Sequence, residues 1–532
     1  LRNIIFYRSY NKIMIDYNQI LEKIDEYNQP DHYNKFLFAT SLFLIIPSLY
    51  YLYIKRKNAA SLSKVSPKQT IIIHEKNTIK EKPIINDDVD FDISSCGGFI
   101  PYLRKLHENQ GAHTSELKSY PNTISIVDPM IMKATLQIGD RPVDLFKFLE
   151  PFIGSDNFQI YDAARAANFR KLIGSSLRHD AIVKKFSTFR NIGVEFIERW
   201  EELLKNDKDY VFRMQDQCLE FSLRVTLNLI INVNEKKLDV KSYRKAYDTT
   251  LGGLFDKQHG INNVSEEEFQ ESINYLKSFS RKLIDQRRKE ILETNQEEAV
   301  TKDFFDILIT ENDPNTGKPF TEEAITSMIN VFITAGYHTT GVAIPYTLFA
   351  LSQNRDIQTK VQEEIDKTLE GGRLPTMDDL SKMEYLTQVV KESLRIHPPG
   401  SFSARLIKSE TTFPTMEESK DLKISDNTTI IYPLVLYHEN PDSFPQPEKF
   451  DPTRFSPDKI KDIKPNTFCP FGFGARICPA ETFSYFDIKL FISMIMQKFN
   501  VELAMKPEEL VKEEKFAIMA KNDVLIKLVP RF

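Results

Sequence analysis

The chain has 532 residues, with 70 Lys and Arg against 75 Asp and Glu, and a formal charge of -5. This slightly acidic balance gives no electrostatic footprint for nucleic acid, so we expect no nucleic-acid partner. The four cysteines are widely scattered, with no C-x-x-C pair and no histidine spacing typical of zinc, which indicates a reduced, cytosol-facing chain.

The beginning of the chain contains a long uncharged stretch. Residues 1–35 form an N-terminal segment that starts with basic side chains, as in a mitochondrial presequence, but acids follow soon afterwards. Residues 36–54 then carry no formal charge, and this length is close to the roughly 20 residues that cross a bilayer. We interpret 36–54 as a transmembrane anchor; a signal peptide or a buried helix is the alternative.

The residues after this stretch indicate its orientation. A basic run from Lys55 to Lys57 follows directly, and the positive-inside rule then places the rest of the chain in the cytosol. We therefore expect a single-pass protein of the endoplasmic reticulum membrane, with a mitochondrial membrane as the alternative. Residues 55–95 are polar and predict a linker, and continuous hydrophobic patterning predicts a catalytic domain over 96–532.

Most later segments have the spacing of amphipathic helices, for example residues 181–204 and 266–292. Residues 123–127 predict a strand followed by a turn into a helix. The Asn, Lys and Gly residues within 230–275 predict short helical pieces separated by breaks.

A long buried helix is predicted after Thr321, which can cap its first turn. Apolar residues then continue for about thirty residues, as in a helix that passes through a core. Its middle contains the stretch A-G-Y-H-T-T-G at 335–341. Glycine and threonine inside a helix cost stability, so they indicate a local function. A threonine can bend the helix by bonding an earlier carbonyl, and small residues leave space for a bound diatomic molecule.

Glu392 and Arg395 lie three residues apart on the next long helix and can pair on one face. Arg454 occurs downstream in the stretch F-D-P-T-R-F. Residues 428–436 alternate enough to predict a strand.

Residues 471–480, F-G-F-G-A-R-I-C-P-A, have the composition of a loop that holds a haem by its cysteine. The glycines would let the backbone approach a flat ligand, and Arg476 suits an anionic group such as a propionate. Cys478 precedes an apolar, periodic helix, where amide groups and the helix dipole favour a thiolate. Cys469 is the rival ligand, but it precedes the glycines, so we expect it to pack as a small apolar residue. A buried structural cysteine is the alternative for Cys478.

The pattern F-x-x-G-x-R-x-C resembles the haem-binding loop of cytochrome P-450 enzymes, with Phe471, Gly474, Arg476 and Cys478 at the matching positions. The resemblance implies haem b (iron protoporphyrin IX) as the cofactor and Cys478 as the axial ligand of its iron. A thiolate ligand favours cleavage of the O–O bond. The family usually has glycine two residues after the cysteine, where this chain has Ala480.

Further motifs of that family occur in the same order. The mid-helix stretch resembles A-G-x-[D/E]-T-T, which places Thr339 at the oxygen-activating threonine and His338 where the family carries an acid. His338 is therefore predicted to relay protons, or else to be satisfied by a backbone carbonyl. Glu392, Arg395 and Arg454 resemble the Glu-Arg-Arg network that locks the haem-side core.

Two more arginines resemble propionate-binding positions of the family. Arg170 lies in a stretch similar to W-x-x-x-R, although Ala166 fills the tryptophan position; a solvated helix face is its alternative. Arg405 follows shortly after the double proline that ends the Glu392 helix. Fainter similarities, at 106–108 and 483–485, resemble the orphan animal P-450s of family twenty.

The resemblance implies a mainly α fold with small β-sheets (α+β), the cytochrome P-450 fold, preceded by one transmembrane helix. It implies a monooxygenase that inserts one atom of O2 into an apolar, lipophilic substrate. Because the chain has no G-x-G-x-x-G fingerprint, NADPH electrons would come through a separate flavin reductase, with cytochrome b5 as a further partner and membrane lipid around the anchor.

Two alternatives to a monooxygenase stay open. One is a haem-thiolate isomerase or dehydratase that does not use O2, and the altered acid position at His338 is its motivation. The other is a haem-binding membrane protein without catalytic turnover.

Overall fold

Helices make up most of the part of the chain that the structure describes. In this computed structural model the described residues are 93, 95–114, 116–118, 120–232, 238–259, 263–293, 302–417 and 420–532. All of them belong to a unit spanning Pro83–Phe532. The predicted N-terminal segment, the predicted transmembrane anchor and nearly all of the predicted linker lie outside the described residues. Within the described ranges, no helix is both long and apolar enough to cross a bilayer.

The helices are numbered here in chain order. The first nine are α1 (Phe99–Gln110), α2 (Pro129–Ala134), α3 (Glu150–Ile153), α4 (Ala163–Ile173), α5 (His179–Asn206), α6 (Met214–Ile231), α7 (Val240–His259), α8 (Glu266–Glu293) and α9 (Phe304–Thr310). The others are α10 (Glu322–Gln353), α11 (Arg355–Thr368), α12 (Met377–Lys382), α13 (Glu384–Ile396), α14 (Leu434–His438) and α15 (Glu481–Lys498). The helices predicted at 181–204 and 266–292 are confirmed as α5 and α8, with ends within two residues of the prediction.

Helix α10 passes through the main hydrophobic core, and most of its side chains are buried. Its predicted start is confirmed: the Thr321 hydroxyl accepts a hydrogen bond from the Ala324 amide. Acidic side chains occupy the first turn, where the helix dipole favours them.

The glycines in the middle of α10 lie against helix α6. A Cβ at Gly336 would lie 2.8 Å from the Thr226 side chain, and a Cβ at Gly341 would lie 2.8 Å from Leu219. Glycine lowers the stability of the helix at these positions, but a larger residue would prevent the close packing of α6 and α10.

The strands of the described residues form small sheets. The strands of the described residues are β1 (Thr123–Ser125), β2 (Val211–Arg213), β3 (Phe402–Ile407), β4 (Thr411–Pro414), β5 (Asp421–Ile424), β6 (Thr428–Pro433), β7 (Phe499–Leu503), β8 (Lys512–Glu514), β9 (Ile518–Ala520) and β10 (Leu525–Pro530). Strand β6 pairs in parallel with β1 and antiparallel with β3, and β10 lies between β2 and β7. Two hairpins, β4–β5 and β8–β9, complete the set.

Strand β6 differs from the alternating strand predicted at 428–436. All six of its residues are buried, and the chain turns helical at Leu434. Because the strand lies between two neighbours inside the fold, both of its faces pack against protein and no polar face is required.

The region 230–275 also differs from the prediction of short pieces. Two long helices, α7 and α8, occupy most of its described part. Gly253 lies inside α7, where a Cβ would collide with the ring of Phe269 on α8. A glycine that was read as a break therefore permits a close contact between two helices.

Candidate functional site

The glycines of the loop 471–480 have different roles. Gly472 and Gly474 adopt positive φ angles of 73° and 59°, which favour glycine. A Cβ at Gly474 would collide with the Leu136 carbonyl oxygen, and the Ala475 amide donates to that same oxygen at 2.8 Å. Gly474 thus lets the loop approach the protein's own backbone, whereas the sequence predicted an approach to a flat ligand.

Cys478 is half-buried where this loop leads into helix α15. Its amide donates to the Phe471 carbonyl at 2.9 Å, which closes the turn. Burial raises the pKa of the Cys478 thiol, while the Ala480 amide and the Arg170 guanidinium oppose that rise. The predicted support for a thiolate is therefore present at the helix junction, but burial outweighs it in the free protein.

Cys469 lies in a different environment. It is buried in an apolar cluster that includes Tyr437 and Phe473, and its amide donates to His438 Nε2 at 3.0 Å. Burial raises the pKa of its thiol to about 12. No cation is among the causes of that shift, so Cys478 has the better surroundings for a thiolate.

Arg170 and Arg405 reach the loop from distant parts of the chain. Arg170, on α4, donates to the Ile477 carbonyl at 2.7 Å, next to Cys478. Arg405, on β3, is buried; one Nη donates to the Phe473 carbonyl at 2.6 Å. The Nε of Arg405 is buried and has no hydrogen-bond partner.

Arg476 is buried and donates only to backbone carbonyls. Its Nε donates to the Gly139 oxygen at 2.6 Å and one Nη to the Phe158 oxygen at 3.2 Å, and the other Nη contacts Tyr161. Burial, together with the charges of Arg405 and Arg170, lowers the pKa of Arg476 to about 10, while Asp140 and Asp162 oppose this fall. The charges of the other arginines therefore act on this guanidinium in addition to its burial.

Arg141 joins this group, although it was not among the residues predicted from the sequence. It donates to Gln159 and, at 3.4 Å, to the Arg476 carbonyl oxygen. Burial and the charges of the three other arginines lower its pKa to about 9, while Cys478 opposes this effect. No motif surrounds Arg141 in the sequence, so only the tertiary structure identifies it.

These four arginines, Arg141, Arg170, Arg405 and Arg476, form the arginine cluster beside Cys478. Buried like charges raise one another's energy unless a counter-charge is present. The hydrogen bonds described for the cluster end on backbone carbonyls, a hydroxyl and an amide side chain rather than on carboxylates. With the unpartnered Nε of Arg405, this donor set fits a ligand that carries carboxylates, as a haem does.

Part of the mid-helix stretch of α10 borders an opening and is accessible there. Ala335 is exposed and Gly336 and Thr339 are half-buried, whereas the other residues of 335–341 are buried. The Thr339 hydroxyl donates to the Ala335 carbonyl at 2.6 Å, a bond that bends helices. Thr339 and Ala335 lie one turn apart, so they border the same opening.

His338 is buried beside this opening and faces helix α7. Its Nε2 lies 3.5 Å from an oxygen of Asp248, whose side chain is half-exposed. Its Nδ1 is buried without a hydrogen-bond partner, so no backbone carbonyl satisfies that nitrogen. The rings of Tyr337, Tyr247 and Phe516 lie around the imidazole.

The structure also brings Glu392, Arg395 and Arg454 together. Arg395 donates to both carboxylate oxygens of Glu392, and Arg454 Nε approaches one of them at 3.3 Å. Phe471, at the start of the loop, packs its ring 5.1 Å from that of Tyr485 on α15.

Comparisons with known proteins agree on one family. The sequence model described as Cytochrome P450 matches residues 98–528 of this chain. The chain is 32% identical to Cytochrome P450 3A41 of Mus musculus over 266 residues, which are 49% of this chain and 50% of that protein. It is 25% identical to Cytochrome P450 4A12 of Rattus norvegicus over 430 residues, which are 76% of this chain and 81% of that protein.

The match to 3A41 thus spans half the length of that relative. These relatives give no support to the predicted similarity to family twenty. A solved structure, described as retinoic acid bound cyanobacterial CYP120A1, superposes with a TM-score of 0.69 at 22% identity. The superposition covers 80% of this chain and 93% of that chain, and it shows a shared fold.

Proposed function

The chain belongs to the cytochrome P450 family, and from this premise we propose that it is a haem-thiolate monooxygenase. It would insert one oxygen atom from O2 into an apolar organic substrate and release the other as water. The observation that carries the proposal is the arginine cluster beside Cys478. The cysteine suits the iron of a haem, and the arginines suit its propionates.

The family implies a haem cofactor, and this chain has residues that would hold it. Cys478 would bind the iron, and the arginine cluster would hold the propionates. Phe471 and Gly474 would shape the loop around the cysteine. When bound, haem supplies activation of O2, and a thiolate ligand favours cleavage of the O–O bond.

The chain's own residues would prepare the opposite side of the cofactor. The Thr339 hydroxyl would bend α10 at Ala335 and leave room for a small molecule, and it would present a hydroxyl for proton transfer. His338 would supply protons from the position where the family carries an acid.

The same proposal includes a source of electrons, a membrane location and a route for the substrate. NADPH would supply electrons through a separate flavin reductase, with cytochrome b5 as a second donor. The uncharged segment 36–54 would anchor the chain in the endoplasmic reticulum membrane with the catalytic domain in the cytosol, and a mitochondrial membrane is the alternative. A lipophilic substrate could then enter from the bilayer.

The carbon monoxide difference spectrum of the reduced protein tests the proposal. We expect a thiolate-type Soret band in the wild type and in Cys469→Ser, and its loss in Cys478→Ser. Retention of the band in Cys478→Ser with loss in Cys469→Ser would mean that Cys469, and not Cys478, is the iron ligand. A wild-type protein that takes up haem without showing the band would contradict the proposal.

A haem-thiolate isomerase or dehydratase is the second candidate, because His338 replaces the usual acid. Turnover of a peroxide substrate without reductase, together with no turnover under NADPH and reductase, would favour this candidate. A haem spectrum that no candidate substrate perturbs would favour a non-catalytic haem protein instead.

A further inference from the structure

A carboxylate from another helix lies beside His338, the position at which the family carries an acid. Asp248 on α7 places an oxygen 3.5 Å from His338 Nε2 on α10. The carboxylate is 42% exposed, whereas the side chain of His338 is 7% exposed. The pair therefore joins solvent at Asp248 to a buried imidazole beside Thr339.

Neighbouring side chains hold this carboxylate in place. The Tyr337 hydroxyl donates to Asp248 Oδ1 at 2.9 Å, and Arg244 Nε donates to the Tyr337 oxygen at 3.0 Å. Arg244 in turn donates to Asp216 at 2.7 Å. Burial raises the pKa of Tyr337 well above its usual value, so the phenol keeps its proton and remains a donor to Asp248.

The second nitrogen of His338 has a different environment. Nδ1 is buried without a hydrogen-bond partner, and aromatic rings surround the imidazole. Ordered water is the usual partner of a buried ring nitrogen that lacks a protein partner. Since Nε2 faces Asp248, Nδ1 is the nitrogen left free for a second partner, and proton transfer through an imidazole uses both nitrogens.

We propose that Asp248 and His338 together deliver protons to the oxygen side of the site, with Asp248 as the positioning residue that acts through His338. This inference rests on the proposed monooxygenase function. Insertion of one oxygen atom of O2 into a C–H bond takes up two electrons and two protons and releases one water. Each proton would enter at Nε2 from the Asp248 side to give the imidazolium, and would leave from Nδ1 to water on the Thr339 side. The ring then holds its proton on Nε2, and it returns to the Nδ1–H tautomer before the second transfer.

The charged and titratable groups around the imidazole come from three helices. They are Asp248, Arg244 and Tyr247 on α7, Tyr337 on α10 itself and, through Arg244, Asp216 on α6. The C-terminal segment contributes the apolar ring of Phe516. Among these groups, Asp248 is the carboxylate within 4 Å of His338, so its removal should dominate any change.

The first test is a histidine ring-nitrogen NMR spectrum of the full chain in its haem-bound, carbon monoxide-inhibited form. The protein has nine histidines, and the signal lost in His338→Gln identifies this one. We expect the Nε2 signal of His338 to move in Asp248→Asn, because an amide then replaces the carboxylate beside that nitrogen. Asp248→Glu keeps the carboxylate and should keep the signal near its wild-type position. Asp256→Asn, which removes a carboxylate from the same helix, is the matched control.

The second test measures product formed per NADPH consumed, in wild type and in the same variants. We expect Asp248→Asn and His338→Gln to lower this ratio by about tenfold, which is less than the roughly 10²–10⁴-fold contribution of a positioned acid or base because water can carry part of the proton flow. Asp248→Glu should restore most of it. An unmoved Nε2 signal of His338 together with unchanged coupling in Asp248→Asn would overturn this inference alone. A wild type without the thiolate-type carbon monoxide band would overturn the monooxygenase proposal, and this inference with it.

Discussion

Arg395 donates two hydrogen bonds of 2.8 Å to the two carboxylate oxygens of Glu392, and both side chains are completely buried. The pair lies three residues apart on α13, and Arg395 also donates to the carbonyls of His438 and Pro447. The arrangement therefore fixes α13 to the chain that leads to the cysteine loop.

Replacement of Glu392 by alanine should destabilise the protein by about 3–5 kcal/mol, because it leaves the buried Arg395 and the nearby Arg454 without their carboxylate. Denaturant unfolding of the apo protein measures the change. Glu384→Ala, at an exposed position in the first turn of the same helix, is the control. A loss of less than about 1 kcal/mol in Glu392→Ala would mean that the pair contributes no more than a surface ion pair.

Gly472 and Gly474 offer a matched comparison. Alanine at Gly472 should cost about 1–2 kcal/mol, the cost of a left-handed conformation, because no atom lies near the added Cβ. Alanine at Gly474 has a similar φ but collides with the Leu136 carbonyl, so it should cost more and should loosen the loop around Cys478. Unfolding free energy and haem content per chain measure the two effects. Equal losses in both variants would argue against the close contact with Leu136.

Local signals account for much of what the sequence predicted. The cap at Thr321 and the periodicity of 181–204 and 266–292 depend on neighbouring residues, and the structure confirms them. The cysteine loop was also identified from a local signal, because the residues of its motif are adjacent in the chain.

The missed features depend on distant contacts. Arg141 lies more than 300 residues before Cys478 in the sequence, and its position becomes meaningful only when the loop packs against Leu136 and Gly139. Asp248 likewise meets His338 only because α7 packs beside α10. No local pattern distinguishes these two residues from other surface charges.

His438 should make the stability of the protein fall at low pH. Its Nε2 accepts from the Cys469 amide and its Nδ1 faces the Arg395 carbonyl, so the folded protein holds the neutral ring, and burial lowers its pKa to about 3. The unfolded chain binds a proton near the reference value of 6.5. Between these values the unfolded state binds more protons, so stability should fall as pH falls, by up to about 1.4 kcal/mol per pH unit.

Unfolding free energies between pH 7 and pH 4 measure this slope. His107 and His397, whose pKa values burial also lowers, add a slope of the same sign, and Asp487 adds one of the opposite sign. The contribution of His438 is therefore the change with pH in the stability difference between wild type and His438→Gln, and the advantage of the wild type should shrink as pH falls. His179→Gln, at an exposed position, should leave the slope as in the wild type. A difference between wild type and His438→Gln that stays constant from pH 7 to pH 4 would assign the slope to other groups.

Asp487 should produce a slope of the opposite sign, over a pH range that overlaps that of His438 and extends above it. Its carboxylate on α15 is buried, neither oxygen has a hydrogen-bond partner, and burial raises its pKa to about 8. Between the reference value of 3.8 and this value the folded state holds a proton that the unfolded state has lost, so stability falls as pH rises. Asp487→Asn should remove that loss, and exposed Asp458→Asn should not. Parallel stability curves for wild type and Asp487→Asn from pH 5 to pH 8 would contradict this.

Arg141 should contribute to haem retention more than to the stability of the apo protein. In the apo protein it lies among three other guanidinium groups, and their charges and its burial lower its pKa to about 9, so removal of its charge relieves repulsion. In the haem-bound protein the same charge would pair with a propionate. We expect Arg141→Gln to leave apo stability unchanged or higher, and to speed haem transfer to apomyoglobin by about tenfold, which corresponds to one lost charge-assisted hydrogen bond. Arg178→Gln, at an exposed position, should change neither property. Unaltered haem transfer in Arg141→Gln would place the propionates away from Arg141 and restrict the cofactor-binding role to the other three arginines.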